Sequence, residues 1–247
     1  MKHSFVILFF FTLFIGCQSE PSLKIATSAN MQFALEEIAI EFEKSNDIKI
    51  ELIVSSTGTL ASQIEQGAPY DLFVAANMKY PTYLHQKKLT TTPPKIYAYG
   101  QLILWTMYDF EPSLSYLKKD DIQKIAIANP ETAPYGIASL EVLKKYNLYA
   151  SVKSKLVYGE SVSQCNQFIN TQSVNIGFTA MSVVMSDKMK NKGHWVKINT
   201  NNYSPIKQGV VILKNSTQKD NAKLFYNFLF STQAQVILKK YGYLNGN

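Results

Sequence analysis

Hydrophobic residues along the chain alternate between short apolar runs and stretches in which they recur every three or four positions. The runs predict buried strands, and the stretches predict amphipathic helices. In the first such pair, Leu23 to Ala26 form an apolar run, and Met31, Leu35, Ile38 and Phe42 then mark one helix face. Repeated strand and helix pairs predict an α/β fold with mainly parallel sheets flanked by helices.

The same alternation continues to the C-terminus. Further strands are predicted at 48–54, 71–76, 95–107, 124–130, 155–160, 174–180, 194–199 and 206–213. Further helices are predicted at 59–67, 81–86, 137–147, 161–172, 181–190 and, with a break near Ser231, at 219–241. With 247 residues, the chain is long enough for one domain or for two.

The N-terminus departs from this pattern. Residues Phe5 to Ile15 form an apolar segment that is too short to span a bilayer of about 30 Å. We therefore predict that residues 1–16 are a signal peptide and residues 17–21 a short tether. Gly16-Cys17 resembles the lipobox of bacterial lipoproteins, which predicts that Cys17 carries lipid after cleavage. Soluble secretion and an uncleaved anchor are the alternatives.

Composition narrows the classes of function. The formal net charge is +7, yet all 25 basic residues are lysines. Arginine is the usual reader of guanine edges and the bidentate partner of phosphate, so its absence argues against nucleic-acid binding and against an arginine clamp. If Cys17 is lipidated, Cys165 is the only thiol left and no intramolecular disulfide can form, and we expect Cys165 to be a small buried side chain. The three histidines do not have metal-ligand spacing.

Four strand-to-helix junctions share a composition of small and hydroxyl residues. They read TSAN at 27–30, SSTG at 55–58, ETAPYG at 131–136 and GESV at 159–162. Each one alone is explained by helix capping, for which serine and asparagine are preferred. Together they offer free backbone N–H groups at the carboxyl edges of strands, and several helix starts aimed at one point can bind an anion without arginine.

A serine hydrolase is an alternative from a different class. GESVS resembles a nucleophile elbow centred on Ser161, although Ser163 stands where that motif has glycine. No histidine follows in a plausible order. Binding without turnover would favour the anion site, whereas covalent labelling of Ser161 would favour the hydrolase.

At the four junctions the sequence resembles the molybdate-binding proteins of bacterial ABC importers. The resemblance covers Leu23 to Leu244, and its most specific blocks are TLASQIEQGAPYDLFVAAN at 59–77, NPETAPYGIASLEVL at 129–143 and STQAQVILKKYGY at 231–243. It implies a two-lobed type II periplasmic-binding fold, in which the lobes close on the ligand by hinge motion.

The resemblance implies the lobes and the site residues. Residues 22–98 and 200–247 would form one lobe, residues 99–199 the other, and the hinge strands would lie near 99–105 and 199–209. The oxyanion contacts, carried over by motif, fall on Asn30, on Thr57 with Ser56 beside it, on Tyr135 and on the backbone of Val162. Some relatives add a tyrosine at the position of Ala180. No catalytic residue and no cofactor is implied.

The implied function is that of an extracytoplasmic protein that captures molybdate or tungstate for import. Its partners would be a membrane permease and an ATPase, and it would act as a monomer in the periplasm or on the outer face of the cell membrane, held by lipid on Cys17. Molybdate and tungstate are tetrahedral dianions of nearly equal size, so residue types do not rank them. Within binding proteins, sulfate, thiosulfate or an organic acid is the alternative ligand.

Overall fold

The structure is a computed structural model that describes residues 22–246. Cys17, the signal peptide and the tether lie outside the described residues. The strands are β1 (Leu23–Ser28), β2 (Ile50–Ser55), β3 (Leu72–Ala75), β4 (Lys95–Gly100), β5 (Leu102–Thr106), β6 (Ile125–Ala128), β7 (Leu156–Gly159), β8 (Ile176–Ala180), β9 (His194–Lys197), β10 (Ile206–Ile212) and β11 (Leu244–Asn245). The α-helices are α1 (Gln32–Ser45), α2 (Thr57–Glu65), α3 (Lys79–Gln86), α4 (Pro134–Lys145), α5 (Tyr149–Val152), α6 (Val162–Asn170), α7 (Met181–Val184), α8 (Lys219–Phe228) and α9 (Thr232–Lys240).

The strands form two sheets, and each sheet is the centre of one lobe. Lobe 1 contains a sheet of order β11-β4-β10-β3-β1-β2, and lobe 2 contains a sheet of order β7-β6-β8-β5-β9. The chain passes to lobe 2 between β4 and β5 and returns between β9 and β10. The predicted two-lobed α/β fold is confirmed. None of the helices in residues 22–246 has the length and apolar composition needed to cross a membrane.

The sheets are mixed rather than mainly parallel. β1 pairs in parallel with β2 and β3, and β6 pairs in parallel with β7 and β8. The strands next to the crossings between the lobes, β4, β5 and β10, make only antiparallel pairs. Two neighbouring parallel strands need a long crossover connection, usually a helix, to join them. The chain passes directly from one sheet to the other at the crossings, without such a connection, and the strands there are paired antiparallel.

The predicted helix faces form the core of lobe 1. Met31, Leu35, Ile38 and Phe42 are each at most 1% exposed, which confirms the face of α1. The Phe42 ring meets the Phe225 ring of α8 edge to face, with 5.2 Å between centroids. Burying each of these side chains stabilises the fold by about 1.5–3 kcal/mol.

Two predicted segments differ in extent. The run at 95–107 divides at Gln101 into β4 and β5, which belong to different sheets. The helix predicted at 181–190 ends at Val184. Just beyond its end, the Ser186 hydroxyl donates to the Val183 carbonyl at 2.6 Å, and a local side-chain bond of this kind competes with helix continuation.

The break between the last two helices falls where it was predicted. α8 ends at Phe228 and α9 begins at Thr232. Ser231 caps α9, because its hydroxyl accepts the Ala234 N–H at 3.3 Å.

Candidate anion-binding site

The four junctions lie at the carboxyl edges of the two sheets. In lobe 1, parallel pairing sets Ser28 opposite Ser55, so the segments that follow β1 and β2 begin side by side. In lobe 2, Ala128 is paired with Gly159, so the segments that follow β6 and β7 do the same. The two edges face each other across the boundary between the lobes, and residues of both line one small cavity.

The cavity is compact and uncharged. Its volume is about 10 Å³. All five predicted site residues line it, together with five others, and none of the ten carries a charge: Ser28, Ala29, Asn30, Ser56, Thr57, Ala76, Ala133, Pro134, Tyr135 and Val162. The walls therefore offer dipoles and hydroxyl groups but no counter-ion.

Four helical starts direct backbone N–H groups at this cavity. Thr57 and Val162 are the first residues of α2 and α6, Tyr135 is the second residue of α4, and Asn30 lies in a 3-10 turn at 29–31. N–H groups at such positions have no partner within their own helix, and within residues 22–246 these four have no acceptor elsewhere. Each helix start also carries a partial positive charge of about half a unit. The arrangement can bind a small anion.

Ser56 and Thr57 use their hydroxyl groups differently. The Ser56 hydroxyl caps α2, since it accepts the Thr59 N–H at 3.3 Å and lies 2.7 Å from the Thr59 hydroxyl. The Thr57 hydroxyl accepts the Ala76 N–H at 3.3 Å, which leaves its own hydrogen available. Thr57 can therefore donate twice into the cavity, whereas Ser56 fixes the helix start.

Ser28 is a candidate donor that the motif comparison missed. Its hydroxyl oxygen is buried at the cavity wall and has no hydrogen-bond partner within residues 22–246. The composition of TSAN contained the signal, because Ser28 is one of its hydroxyl residues. Nothing in the sequence distinguished its hydroxyl from that of Thr27, which is also buried and without a partner in the described chain.

The Asn30 side chain neither caps a helix nor has a donor left for an anion. No side-chain cap bond is present at the 3-10 turn. The Asn30 amide nitrogen donates to the Gln208 Oε1 and to the Tyr243 hydroxyl, both at 2.9 Å. The Asn30 backbone carbonyl accepts from the Ser182 hydroxyl at 2.7 Å and from the Tyr243 hydroxyl at 2.8 Å. Only the backbone N–H of Asn30 can serve the cavity.

Tyr135 lines the cavity, and its hydroxyl reaches the other lobe. A Cβ atom on Gly100 would lie 2.2 Å from that hydroxyl oxygen, so β4 can approach it only with glycine at this position. Burial, with smaller contributions from Tyr243 and Tyr203, raises the pKa of Tyr135 well above its usual value. The hydroxyl stays neutral and brings no negative charge to the site.

Ala180 and Cys165 stand apart from the cavity. Ala180 is fully buried at the end of β8 and is not one of the residues that line the cavity. Cys165 is buried in α6, as expected, and burial raises the pKa of its thiol to about 12, so it is unreactive at neutral pH. Residues 22–246 contain no group of three or more acidic, histidine or cysteine side chains that could hold a metal ion.

Ser161 serves as a helix cap. Its hydroxyl accepts the Gln164 N–H at 3.4 Å at the start of α6. The two described histidines are bonded elsewhere: His85 to the Thr90 hydroxyl, and His194 to carboxylates of residues 109 and 111. Neither is placed to act as the base that a serine nucleophile needs.

Known proteins are similar to this chain over about nine-tenths of its length. The chain is 34% identical over 233 residues to the molybdate-binding protein ModA of Azotobacter vinelandii, which covers 93% of this chain and 92% of that protein. It is 32% identical over 245 residues, 94% of each chain, to the putative ABC transporter substrate-binding lipoprotein YvgL of Bacillus subtilis. The solved structure of the Azotobacter vinelandii periplasmic molybdate-binding protein matches with a TM-score of 0.84 at 30% identity, covering 90% of this chain and 99% of that chain.

The family assignment rests on nearly the whole described chain. The profile of the family described as bacterial extracellular solute-binding protein matches residues 23–244. That match spans both sheets and all four junctions. The chain belongs to the bacterial extracellular solute-binding protein family.

Proposed function

We propose that this protein captures molybdate outside the cytoplasm and delivers it to an ABC importer. The observation that carries the proposal is the uncharged cavity between the lobes, into which four helical starts direct N–H groups. Dipoles and hydroxyl groups of this kind stabilise a small dianion without a cationic side chain. The choice of molybdate is supported by the relatives that are named for binding it.

In the proposed complex, the anion accepts hydrogen bonds from both lobes. Lobe 1 donates from the backbone of Asn30 and from the backbone and hydroxyl of Thr57, and lobe 2 donates from the backbone of Tyr135 and Val162. The unpartnered Ser28 hydroxyl adds a further donor. Ser56 acts indirectly by capping α2. Closing the lobes assembles the two halves, so affinity requires both.

The proposed hinge lies where the chain crosses between the sheets. We propose lobe boundaries near residue 98 and near residue 199. The change of sheet falls close to both, at Gln101 between β4 and β5 and between Lys197 and Ile206, where β9 ends and β10 begins. Bending at these short connections would open the cavity to solvent without disturbing either core.

Delivery would require a membrane permease and an ATPase. We propose that the protein acts as a monomer and is held at the membrane by lipid on Cys17. The lipobox resemblance supports the anchor, and the relative from Bacillus subtilis is named a lipoprotein. The site would also accept tungstate, because the two dianions are nearly equal in size. Sulfate or another small anion is the competing ligand.

The test is titration of purified protein with molybdate, tungstate, sulfate and phosphate, combined with elemental analysis of the protein as isolated. Millimolar molybdate over a micromolar dissociation constant would stabilise the fold by about 4 kcal/mol, because only the folded state binds. Sodium chloride of equal ionic strength should leave the melting temperature unchanged. If neither molybdate nor tungstate produced heat or thermal stabilisation, the proposal would be wrong.

A further inference from the structure

The two lobes contact each other directly beside the cavity. The Gly58 N–H of α2 donates to the Thr132 carbonyl of lobe 2 at 2.9 Å. The Tyr80 hydroxyl of α3 donates to the carbonyl of the preceding residue, Glu131, at 3.0 Å. We call these four residues the clasp. Both bonds run from lobe 1 to two successive carbonyls of lobe 2.

The clasp is adjacent in sequence to the proposed anion donors on both sides. In α2, Gly58 follows Thr57. The Thr57 N–H is the proposed anion donor, and the next N–H, that of Gly58, donates to the opposite lobe. In lobe 2, Thr132 lies three residues before Tyr135, at the turn that leads into α4. A hydrogen bond within the protein therefore joins the starts of α2 and α4. It lies beside the cavity, where a bound anion would contact both starts.

The close approach requires glycine at position 58. A Cβ atom there would lie 2.9 Å from the Thr132 Cα and 2.7 Å from the Tyr80 hydroxyl oxygen. Contacts shorter than 3.0 Å do not occur for real Cβ atoms, and the Thr132 Cα is backbone that cannot rotate away. Gly58 is helical, where alanine is preferred over glycine. The Tyr80 hydroxyl is the end of a side chain that can shift, so the fixed obstacle to a larger residue is the Thr132 backbone of lobe 2 and not the conformation of α2.

The Tyr80 hydroxyl is a dependable donor in this position. Burial raises the pKa of Tyr80 above its usual value, so the hydroxyl keeps its proton at all physiological pH values. The backbone of Tyr80 is anchored separately within lobe 1, where its N–H donates to the Asn77 side chain at 3.3 Å. Loss of the hydroxyl would therefore leave α3 in place.

We propose that the clasp holds the lobes closed and that Gly58 and Tyr80 set how long the bound oxyanion is retained, although neither contacts it. This rests on the proposed function, because it assigns a role in retaining that ligand. The clasp bonds exist only in the closed form. Breaking them raises the dissociation rate and leaves encounter between the open form and the anion unchanged.

Tyr80→Phe tests the proposal, with Tyr83→Phe as its matched control. Tyr83 lies on the same helix, but its hydroxyl donates to Glu65 within lobe 1 at 2.6 Å. Both variants lose one tyrosine hydroxyl bond, and only one of those bonds joins the lobes. The readout is release of radiolabelled molybdate during a chase with unlabelled molybdate, together with the association rate and the melting temperature without anion.

We expect Tyr80→Phe to release molybdate about three- to tenfold faster than the wild type, because the closed form loses one hydrogen bond. Its association rate should be unchanged. Tyr83→Phe should release it at the wild-type rate. Gly58→Ala should release it roughly tenfold faster or more, since the added methyl group holds the lobes apart, and its anion-free melting temperature should equal or exceed that of the wild type.

The possible failures are distinguishable. If the wild type binds molybdate and all three variants release it at the wild-type rate, the clasp is overturned and the proposed function stands. A lower anion-free melting temperature for Gly58→Ala together with release at the wild-type rate would assign Gly58 to packing within lobe 1 and would overturn its role in retention. If the wild type binds no oxyanion, the proposed function falls, and the clasp falls with it.

Discussion

Asn30 bonds to segments that are far apart along the chain. Its side-chain amide donates to Gln208 on β10 and to Tyr243 before β11, and its backbone carbonyl accepts from Ser182 of lobe 2. Both side-chain amide hydrogens of Asn30 and the hydroxyl hydrogens of Ser182 and Tyr243 are used in these bonds. Bonds from both the side chain and the backbone carbonyl of Asn30 fix the backbone around it, including the N–H at the cavity.

Asn30→Asp distinguishes this bracing role from helix capping. Aspartate and asparagine cap helices about equally well, so a capping residue would tolerate the change. At this position the carboxylate would face the Gln208 Oε1 without a donor, and we expect a loss of about 3 kcal/mol in the free energy of unfolding without anion. Molybdate binding should also be lost, because a buried negative charge repels the dianion.

Chemical denaturation with and without molybdate measures both effects. The exposed Asn191 offers a control, since Asn191→Asp makes the same chemical change at the surface and should alter neither stability nor binding. An Asn30→Asp protein as stable as the wild type would contradict the bracing role.

At the scale of elements, three helices begin at the cavity, and each start is fixed by a local device. Ser56 caps α2 and Ser161 caps α6, while Pro134 occupies the first position of α4. Proline is favoured at that position because its fixed φ matches the helix and its missing N–H would have no helical partner. Local sequence thus sets each start and leaves the neighbouring N–H groups free.

Val162→Pro tests whether a free helix N–H binds the anion. Val162 is the first residue of α6, and Ser161 before it is extended, at φ −144° and ψ 172°, which is the conformation that a residue preceding proline prefers. The substitution should therefore leave α6 intact while removing one donor. Hydrogen bonds to charged groups contribute about 1.5–3 kcal/mol, so we expect molybdate affinity to fall roughly 10- to 100-fold.

Val162→Ala is the matched control for packing, because it removes side-chain contacts and keeps the N–H. Calorimetric titration of both variants should show binding retained by alanine and weakened by proline. Equal affinity for the two would exclude the Val162 N–H as an anion donor.

At the scale of the whole molecule, two lobes with separate sheets are joined by two short connections. Residues of both lobes line the cavity, so closure of the lobes completes the site. Delivery to a membrane partner would be helped by an anchor that keeps the protein near the bilayer. The predicted anchor, Cys17, precedes the described residues by a short polar segment.

Cys17→Ala tests the anchor. We expect the wild-type protein in the membrane fraction after export and the variant in the soluble fraction, with molybdate affinity the same in both, since Cys17 is remote from the site in sequence. Fractionation, together with mass spectrometry of the mature N-terminus, provides the measurement. A wild type that is fully soluble after export, with an N-terminus other than Cys17, would refute the lipoprotein prediction.

The sequence by itself determined the features that depend on near neighbours. The spacing of Met31 to Phe42 defined the buried face of α1, and Ser231 marked the start of α9. The composition of the four junctions predicted helix starts, and the residues carried over by motif do line one cavity. Helical periodicity and capping act over a few residues, so they can be recognised without knowing the fold.

Only the tertiary structure decided what the individual polar groups do. The Asn30 amide meets partners 178 and 213 residues away, and the Gly58 N–H meets a carbonyl of the other lobe. Ser28 is left without a partner because neighbouring elements, and not its sequence context, surround its hydroxyl. Such pairings depend on how distant segments are brought together within a lobe and between the lobes, and a local pattern of residues does not contain that information.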